Sequence, residues 1–124
     1  MSSQAPRQGA ALEYTQKVLG GPTVETDKVV SVANTPIVAI DGNGDRVGLI
    51  FVNLGTSDIF INIDPAVSTT NGIDITANGG SATLSVVYDF TLVTRRWYAI
   101  AAAAGPFSLL VIEYSRFAFT PPAG

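Results

Sequence analysis

Residues 46–63 read RVGLIFVNLGTSDIFINI, and this stretch decides the fold class. An apolar run at residues 46–54 leads into a Gly-Thr-Ser-Asp turn, after which isoleucine recurs at every second position, as Ile59, Ile61 and Ile63. Alternation with a period of two is typical of a strand that buries one face, because successive side chains of a strand point to opposite sides. The stretch therefore predicts two β-strands joined by a short turn.

Further short apolar runs lie on both sides of this stretch, and Gly, Pro, Asn and Asp separate them. The runs are residues 29–33, 36–40, 73–75, 82–90, 96–102 and 107–114, and residues 116–120 could add a short edge strand. No helical period longer than two turns follows residue 28. This series of seven to nine short strands predicts an all-β fold. We expect an antiparallel β-sandwich or a jelly-roll-like flattened barrel.

Residues 1–27 differ in composition from the rest of the chain. They are rich in Ser, Gln, Gly, Ala and Thr, with few larger apolar side chains, and Gly20-Gly21-Pro22 is a strong breaker. We therefore divide the chain into an extended N-terminal arm at residues 1–27 and a β-sandwich domain at residues 28–124. Two interpretations of the arm stay open, namely a disordered tail and a segment that becomes ordered against a neighbouring subunit.

The strand pattern also predicts a core. We expect these side chains to be largely buried: Ile50, Val52, Ile59, Ile61, Ile63, Leu84, Val86, Ile100, Leu109 and Val111. The single tryptophan, Trp97, belongs to the core in the first interpretation, because a lone Trp in a strand of a small sandwich is more often packed than exposed. In the other interpretation Trp97 and Tyr98 form a binding face or a subunit contact.

The composition excludes several classes of chemistry. The chain has 124 residues and contains neither cysteine nor histidine. Disulfides, thiolate metal sites and thiol catalysis are excluded, and the commonest general base is missing. Serine and threonine are plentiful, but no histidine can activate one as a nucleophile. We assign no catalytic, cofactor-binding or metal-ligating residue and expect a protein that is not an enzyme and needs no cofactor.

Charge is sparse and slightly negative. Charged residues make up 14% of the chain, and its net charge is −3. This balance argues against nucleic acid as a partner, because such binding needs a basic stripe to neutralise phosphates. No apolar run is long enough for a membrane span, and no secretory signal is visible at the N-terminus. So few charges on a small domain predict exposed apolar patches, which mark interfaces, so we expect the chain to work in an assembly.

The sharpest local motif is Asp41-Gly42-Asn43-Gly44-Asp45, which is similar to the start of a calcium loop. The sixth position is Arg46 rather than Gly, and the twelfth is Val52 rather than the Glu that completes such a loop as a bidentate ligand. The same residue types favour a tight turn, because they tolerate positive φ. We expect a solvent-exposed hairpin connection between two adjacent antiparallel strands, with a calcium site as the alternative.

Five carboxylates could supply the acid–base pair of a glycosidase: Asp58, Asp64, Asp74, Asp89 and Glu113. Most of them lie at predicted turns, where aspartate caps its own backbone. Glu113 instead lies inside an apolar strand, so we expect it to form a structural ion pair with an arginine of a neighbouring strand. The available arginines are Arg46, Arg96 and Arg116.

A series of strand and turn residues runs from residue 46 to residue 113. It comprises Arg46-x-x-Leu49-x-x-x-Asn53, a Gly-Thr-Ser turn, an isoleucine-alternating strand ending at Asp64, Asn71-Gly72-Ile73, a glycine turn, Trp97-Tyr98-Ala99-Ile100 and Val111-Ile112-Glu113. This series covers slightly over half of the chain and resembles small structural proteins of tailed-bacteriophage virions. The resemblance implies a β-sandwich or jelly-roll-like domain of a capsid decoration (cement) protein or a fibre-associated subunit. It transfers no catalytic residue.

From the resemblance and the composition we expect a structural protein of the bacteriophage virion. The first expectation is a capsid decoration protein that stabilises the head by binding across capsid subunits. The expected partners are the major capsid protein or other virion subunits, the expected oligomer is a homotrimer, and the expected location is the virion, assembled in the host cytoplasm. Neither nucleic acid nor a membrane is an expected partner.

The alternative function belongs to another class. It is a carbohydrate-binding module, or a receptor-binding head domain of a fibre or tail, that uses Trp97, Tyr98 and the loops. A sugar platform needs exposed aromatic rings, so the exposure of Trp97 separates the two expectations.

Overall fold

A computed structural model of the chain describes residues 23–116, which form eight β-strands and a short helical segment. The strands are β1 (Thr23–Val32), β2 (Ile37–Ile40), β3 (Arg46–Asn53), β4 (Ile59–Asn62), β5 (Ile73–Ile75), β6 (Ser81–Ser85), β7 (Trp97–Ala101) and β8 (Phe107–Arg116). The helical segment, residues 86–94, consists of helix α1 (Val86–Asp89) and a 3₁₀ helix (Phe90–Thr94). Within residues 23–116, no helix has the length and apolar character needed to cross a bilayer.

The strands form two antiparallel four-stranded sheets, ordered β1-β8-β3-β6 and β2-β7-β4-β5. Most successive strands change sheet, so neighbouring strands within a sheet are distant in sequence, except for β4 and β5. Two facing four-stranded sheets with this strand order are the arrangement of a jelly roll. The predicted all-β sandwich is therefore confirmed. Residues 1–22 of the predicted arm, and residues 117–120 of the suggested edge strand, lie outside the described residues.

β1 and β8 pair with each other over ten residues, and Thr23 lies opposite Arg116. Residues 23–27, which the sequence assigns to the arm, therefore belong to the sheet, and the strand begins five residues before the predicted boundary at residue 28. The apolar pattern starts only at Val29, because residues 25, 27 and 28 are charged. An edge strand tolerates such charges, since its outer side faces solvent and charges discourage pairing with other chains.

The core lies between the two sheets. Of the predicted core residues, five are buried: Ile59, Ile61, Leu84, Leu109 and Val111. Ile63 and Val86 are partly exposed and pack against this core. Trp97 is only 3% exposed, and its ring centroid lies 6.0 Å from that of Phe51. The first interpretation of Trp97, as a core residue, is confirmed.

Three of the predicted core residues, Ile50, Val52 and Ile100, are only half-buried. In β3 the inner positions belong to Leu49 and Phe51, which are fully buried. Residues 46–54 are apolar at nearly every position, so the alternation does not distinguish the inner face from the outer one. A register error of one residue then exchanges the two faces.

Residues 82–90 do not form one strand, as the sequence predicts, because β6 ends at Ser85 and helix α1 follows. The Ser85 hydroxyl oxygen accepts a hydrogen bond from the Tyr88 amide at 3.3 Å, and the Ser85 amide donates to Oδ2 of Asp89 at 2.9 Å. This reciprocal arrangement satisfies free amide groups at the start of a helix. The prediction was wrong because Val86 and the residues after it favour strands by propensity alone.

Residues 41–45 do not form a hairpin, because β2 and β3 belong to different sheets. The segment crosses from one sheet to the other. The Asn43 amide donates to the carbonyl oxygen of Thr94 at 2.9 Å, and Oδ1 of Asn43 accepts from the Asp45 amide at 3.0 Å. The Gly-Asn-Gly pattern marks a turn, but it does not determine which strands the turn joins.

Candidate functional site

The helical segment presents four large apolar side chains to solvent. These are Val87, Tyr88, Phe90 and Leu92, and we call them the apolar face. Tyr88 is 84% exposed and Phe90 is 72% exposed. Among the described residues these are the two most exposed large apolar side chains. Isolated apolar side chains on a surface are ordinary, but four within six consecutive residues indicate an interaction surface.

Buried side chains of the sandwich hydrogen-bond the backbone of the segment that carries the apolar face. Val93 is fully buried, and the indole nitrogen of Trp97 donates to the carbonyl oxygen of Leu92 at 3.1 Å. One guanidinium nitrogen of Arg46, Nη1, donates to the carbonyl oxygens of Val93 and Arg95, both at 3.0 Å. With the Ser85 cap at its start, the segment is fixed at both ends. A surface that is already ordered loses less conformational entropy on binding.

Phe90 has a backbone conformation that side chains rarely adopt, with φ 53° and ψ −127°. Glycine enters this region freely, whereas a residue with a Cβ atom pays a steric penalty of about 1–3 kcal/mol. The Phe90 ring gains little burial in return, because it is mostly exposed. A strained backbone that carries an exposed aromatic ring is a recognised indication of a functional position.

Arg46 is a buried arginine that connects the sheet with the helical segment. It is 2% exposed, and its Nε donates to Oε2 of Glu113 at 2.7 Å. Its Nη2 donates to the carbonyl oxygen of Asp41. Together with the Nη1 contacts, one buried side chain joins β3, β8, the 41–45 segment and the 3₁₀ helix. The predicted structural ion pair of Glu113 is therefore present, and its partner is Arg46.

Glu113 is surrounded by donors. Partial burial raises the pKa of its carboxyl group, but hydrogen bonds from Arg46 and Asn43, the positive charge of Arg46 and a hydrogen bond from Thr26 outweigh this and hold the pKa below its ordinary value. Asn43 Nδ2 donates to Oε2 at 3.1 Å, and the Thr26 hydroxyl donates to Oε1 at 3.2 Å. A carboxylate with a lowered pKa is a poor general acid or base near neutral pH, so Glu113 is structural.

The described chain begins and ends close to the helical segment. The Arg116 amide donates to the carbonyl oxygen of Asp45 at 2.7 Å, and its guanidinium pairs with the Asp45 carboxylate at 3.0 Å. Arg116 also lines a shallow cavity of about 230 Å³ together with Val47, Val86 and Thr94. Because Thr23 lies opposite Arg116, both ends of the described chain lie at this end of the sandwich.

The oxygen side chains of the 41–45 motif have protein partners. Asp41 pairs with Arg96 at 3.3 Å, and Asp45 pairs with Arg116. Oδ1 of Asn43 accepts from a backbone amide. Within residues 23–116, no group of three or more acidic side chains is placed to hold a metal ion.

The other candidate carboxylates lie apart from the apolar face, except for Asp89, which caps Ser85. Oδ1 of Asp64 accepts from the Ala66 amide at 2.9 Å. Asp58, directly before β4, lies near Asp74 of the neighbouring strand β5. Local desolvation, followed by the charge of Asp58 and a hydrogen bond with it, raises the pKa of Asp74. Asp74 is exposed, and Oδ1 of Asp58 accepts from the Ala77 amide at 3.0 Å, as is usual for a turn aspartate.

A polar cavity of about 390 Å³ lies between β1 and the 41–45 segment. Lys28, Asp41, Arg46 and Glu113 are among the residues that line it. Arg46 and Glu113 already bind each other, and no buried side-chain nitrogen or oxygen of the described residues lacks a hydrogen-bond partner. The cavity therefore offers no unpaired buried group for a ligand.

The sequence predictions miss the apolar face, because they place residues 82–90 in a strand and single out Trp97 and Tyr98. Trp97 is buried, and Tyr98 is half-buried on the other side of β7. One signal in the sequence could have revealed the helical segment. Ser85 is a favoured N-cap residue, and Asp89 places an acidic side chain in the first turn that follows it.

No protein-family model and no curated protein matches the chain. One solved structure is similar in outline, a chain from Bacillus endospore appendages, described as a novel family of disulfide-linked pili. Its sequence identity is 15%, the match covers 77% of this chain and 88% of that chain, and the TM-score is 0.43. A likeness of this extent carries no argument about function. This chain has no cysteine with which to form a disulfide.

Proposed function

We propose that the chain is a non-enzymatic structural protein of a bacteriophage virion, namely a decoration protein that binds across capsid subunits as a homotrimer. The observation that supports this proposal best is the apolar face, in which exposed aromatic rings stand on a backbone fixed by Ser85, Trp97 and Arg46. The sparse charge of the chain and its resemblance to small virion proteins agree with it.

The proposed mechanism is mechanical. The apolar face is removed from water against the shell, and burial of apolar surface contributes about 25 cal/mol per Å² before the costs of association. Each copy contributes a modest free energy, but a trimer presents three copies of the face, which raises its avidity through effective concentration. A ligand that binds only the assembled shell stabilises it by mass action.

The direct test is co-sedimentation of the purified protein with expanded tailed-phage shells. The double variant Tyr88→Ser/Phe90→Ser is expected to lose binding, because both exposed rings are removed. The matched control is Val29→Ser/Ile73→Ser, which removes two exposed apolar side chains elsewhere and should bind normally. Equal loss in both variants, or no binding by the unaltered protein, would contradict the proposal. Sedimentation equilibrium measures whether the free protein is a trimer.

The predicted arm has a separate test, although residues 1–22 lie outside the described residues. Deletion of residues 1–21 should leave the thermal stability of the sandwich nearly unchanged, because β1 begins at Thr23. The same deletion should weaken binding to shells if the arm contacts a neighbouring subunit. A truncated chain that fails to fold would show that the arm belongs to the domain.

Carbohydrate or receptor binding is the second candidate. Trp97 cannot provide a sugar platform while it is buried, so this function would depend on Tyr88 and Phe90 instead. Exposed aromatic rings can stack on apolar faces of ligands as well as on proteins. Specific binding on a glycan array that is lost in Tyr88→Ser/Phe90→Ser, without any binding to shells, would favour this function over the first.

A further inference from the structure

The two central strands of one sheet, β3 and β8, are apolar on both faces. Their inward side chains belong to the core, and five apolar side chains lie on the opposite face: Ile50, Val52, Leu110, Ile112 and Tyr114. We call these five the outer sheet face, and each of them is partly exposed. A sheet with one face in water usually alternates apolar and polar side chains, whereas strands that are buried on both faces are nearly continuous apolar runs. The pattern of β3 and β8 therefore indicates a sheet that is covered on both faces.

The outer sheet face is one continuous patch, because its residues in β3 lie opposite its residues in β8, as Ile50 does with Ile112. Tyr114 lies over Gly48, where an added Cβ atom would come within 3.3 Å of the tyrosine ring. With about 4.8 Å between strands and about 3.3 Å for each residue, the four strands span roughly 19 by 26 Å over the length of β3, or about 500 Å². A stable interface buries about 800 Å² on each partner, so this face can form its centre and the sheet edges the remainder.

The two edges of the sheet carry complementary side chains. On the side of the outer sheet face, β1 presents the carboxylates of Glu25 and Asp27, and β6 presents the hydroxyl groups of Ser81 and Thr83. All four side chains are exposed. Hydroxyl groups donate hydrogen bonds to carboxylates, and hydrogen bonds to an ionised acceptor are stronger than neutral ones. Carboxylates placed against carboxylates repel each other instead. The β1 edge is therefore complementary to the β6 edge and not to itself.

Rotation about an axis parallel to the strands brings these unlike edges together. In a closed ring around such an axis, the outer sheet faces point toward the axis, and the β1 edge of each copy meets the β6 edge of the next. A two-fold axis that runs across the strands would instead place Glu25 and Asp27 against the same carboxylates of the partner. The chain is thus complementary to further copies of itself in the first arrangement and not in the second.

The apolar face of the helical segment lies outside this contact. Its backbone is hydrogen-bonded by Arg46 and Trp97, which are buried between the sheets, whereas the outer sheet face is on the other side of its sheet. The helical segment lies at one end of the sandwich, where Val86 shares a cavity with Arg116 at the end of β8. Copies related by an axis parallel to the strands present that end in the same direction. A ring therefore leaves all its apolar faces on one side, where they can bind the shell together.

We propose that the outer sheet face is the contact between copies of this chain in a closed ring of three, with the β1 edge of one copy against the β6 edge of the next. The choice of surface stands on the strand pattern and on the charges of the edges, and the number of three copies rests on the proposed function. Assembly removes the apolar side chains from water, and the contacts between carboxylates and hydroxyl groups fix which edges meet. It also covers both edge strands of the sheet, which could otherwise pair with other chains.

Sedimentation equilibrium of the full chain tests the outer sheet face. The unaltered protein is expected to be a trimer. Ile50→Lys places a charge at the centre of the contact and should weaken association at least about tenfold. Ile100→Lys is the matched control and should remain a trimer, because Ile100 is the same partly exposed side chain on the outward side of β7, in the other sheet. Circular dichroism checks that both variants fold, and Val52→Lys is used if Ile50→Lys does not.

The edges have a test of their own. Thr83→Lys should strengthen the trimer several-fold at low salt, because the new cation meets the carboxylates of the next copy. Adding Glu25→Lys to this variant should remove the gain, since two lysines then face each other across the contact. If copies met with like edges, Thr83→Lys alone would weaken association, and that result would overturn the ring.

The remaining outcomes also decide the proposal. A monomeric or dimeric unaltered protein would overturn the ring of three. A trimer that survives Ile50→Lys would show that its contact surface lies elsewhere on the chain. Equal dissociation of the Ile50→Lys and Ile100→Lys variants would likewise reject the outer sheet face as the specific contact.

Shell binding separates this inference from the proposed function. Tyr88→Ser/Phe90→Ser should remain a trimer and lose shell binding, whereas Ile50→Lys should lose the trimer and weaken shell binding through lost avidity. A trimer that Ile50→Lys disrupts, with no binding of the unaltered protein to shells, would retain the contact and reject the decoration function. Shell binding by a monomeric unaltered protein would reject the contact and retain the decoration function.

Discussion

Arg46 and Glu113 form an ion pair, with 2.7 Å between Nε and Oε2, that joins the two central strands of one sheet. The arginine is almost completely buried, and the glutamate side chain is 18% exposed. Arg46 also binds the carbonyl oxygens that end the helical segment. The pair thus connects the sheet with the backbone beneath the apolar face. Its contribution is to position this end of the sandwich, because a buried ion pair by itself is weak evidence for stability.

Glu113→Gln should make the protein less stable at neutral pH. The change removes a charged acceptor from Arg46 and should lower the free energy of unfolding by about 1–3 kcal/mol at pH 7. The folded-state pKa of Glu113 lies below its ordinary value of 4.5, so its stabilisation is present above that value and is lost as pH falls through the folded-state pKa. Urea denaturation from pH 7 to pH 3 should show the two proteins converging at acid pH. Parallel pH curves would contradict the assignment.

Ile61→Ala should lower the free energy of unfolding by about 2–5 kcal/mol, because Ile61 is fully buried between the sheets. Ile100→Ala is the matched control, since the same side chain is only half-buried there and should cost less than half as much. Chemical denaturation measures both. Equal costs, or a loss below about 0.5 kcal/mol for Ile61, would mean that the assignment of inner and outer faces is reversed.

Gly80→Ala should be strongly destabilising. A Cβ atom at Gly80 would clash with the hydroxyl and carbonyl oxygens of Thr76 and would lie 2.7 Å from the Thr76 amide nitrogen. Because the backbone of the turn has to move, we expect a loss of about 1–3 kcal/mol or more. Gly44→Ala is the control, since a Cβ atom added there would have no neighbour within 4 Å, and its effect should be within about 0.5 kcal/mol. Similar thermal unfolding of both variants would refute the close approach.

Asp74→Asn should raise the melting temperature at pH 7 and leave it unchanged near pH 3. The folded-state pKa of Asp74 is raised, so the protonated form is favoured on folding. This advantage is present below the unfolded-state pKa and is lost as pH rises through the folded-state pKa, where repulsion from Asp58 remains. Asp27→Asn, in the other sheet, is the control. A stabilisation that persists at pH 3 would point to a cause other than this carboxylate pair.

Phe90→Gly should keep or raise stability and reduce binding to shells. Glycine adopts the φ of 53° at this position without the steric penalty, so we expect the free energy of unfolding to rise by about 1 kcal/mol. The exposed ring, which the proposed function needs, is removed. Phe90→Ala is the comparison, because it removes the ring and keeps the strained backbone. A large loss of stability in Phe90→Gly would show that the ring is structural and not a binding group.

The fold class could be predicted from the sequence because most strands are short apolar runs bounded by turn residues. The alternation at Ile59 and Ile61 identifies a buried face correctly. It fails in β3, where both faces are apolar and only tertiary packing selects Leu49 and Phe51 for the core. Local sequence pattern also cannot show which strands pair, because the jelly roll places most successive strands in different sheets. The turn residues at 41–45 therefore predict a hairpin that does not exist.

The candidate site is less accessible to sequence reasoning. Glu113 can be recognised as an ion-pair partner, because a carboxylate inside an apolar strand needs a cation. The choice of Arg46 from three arginines depends on the pairing of β3 with β8. The apolar face escapes prediction because Val86 and Val87 favour a strand, whereas the hydrogen bonds of Ser85 decide in favour of a helix. Local propensity is a weak guide where a few capping contacts can reverse it.

The pairing of Thr23 with Arg116 has a mechanical consequence. If a force pulled Thr23 and Arg116 apart, the load would fall on the paired strands β1 and β8 from one end. Hydrogen bonds loaded in this way break one after another instead of sharing the force. β1 would peel from the sheet edge and release roughly 33 Å of slack, at about 3.3 Å for each of its residues, while β8 stayed paired with β3. Such a subunit would yield gradually under tension before its core came apart.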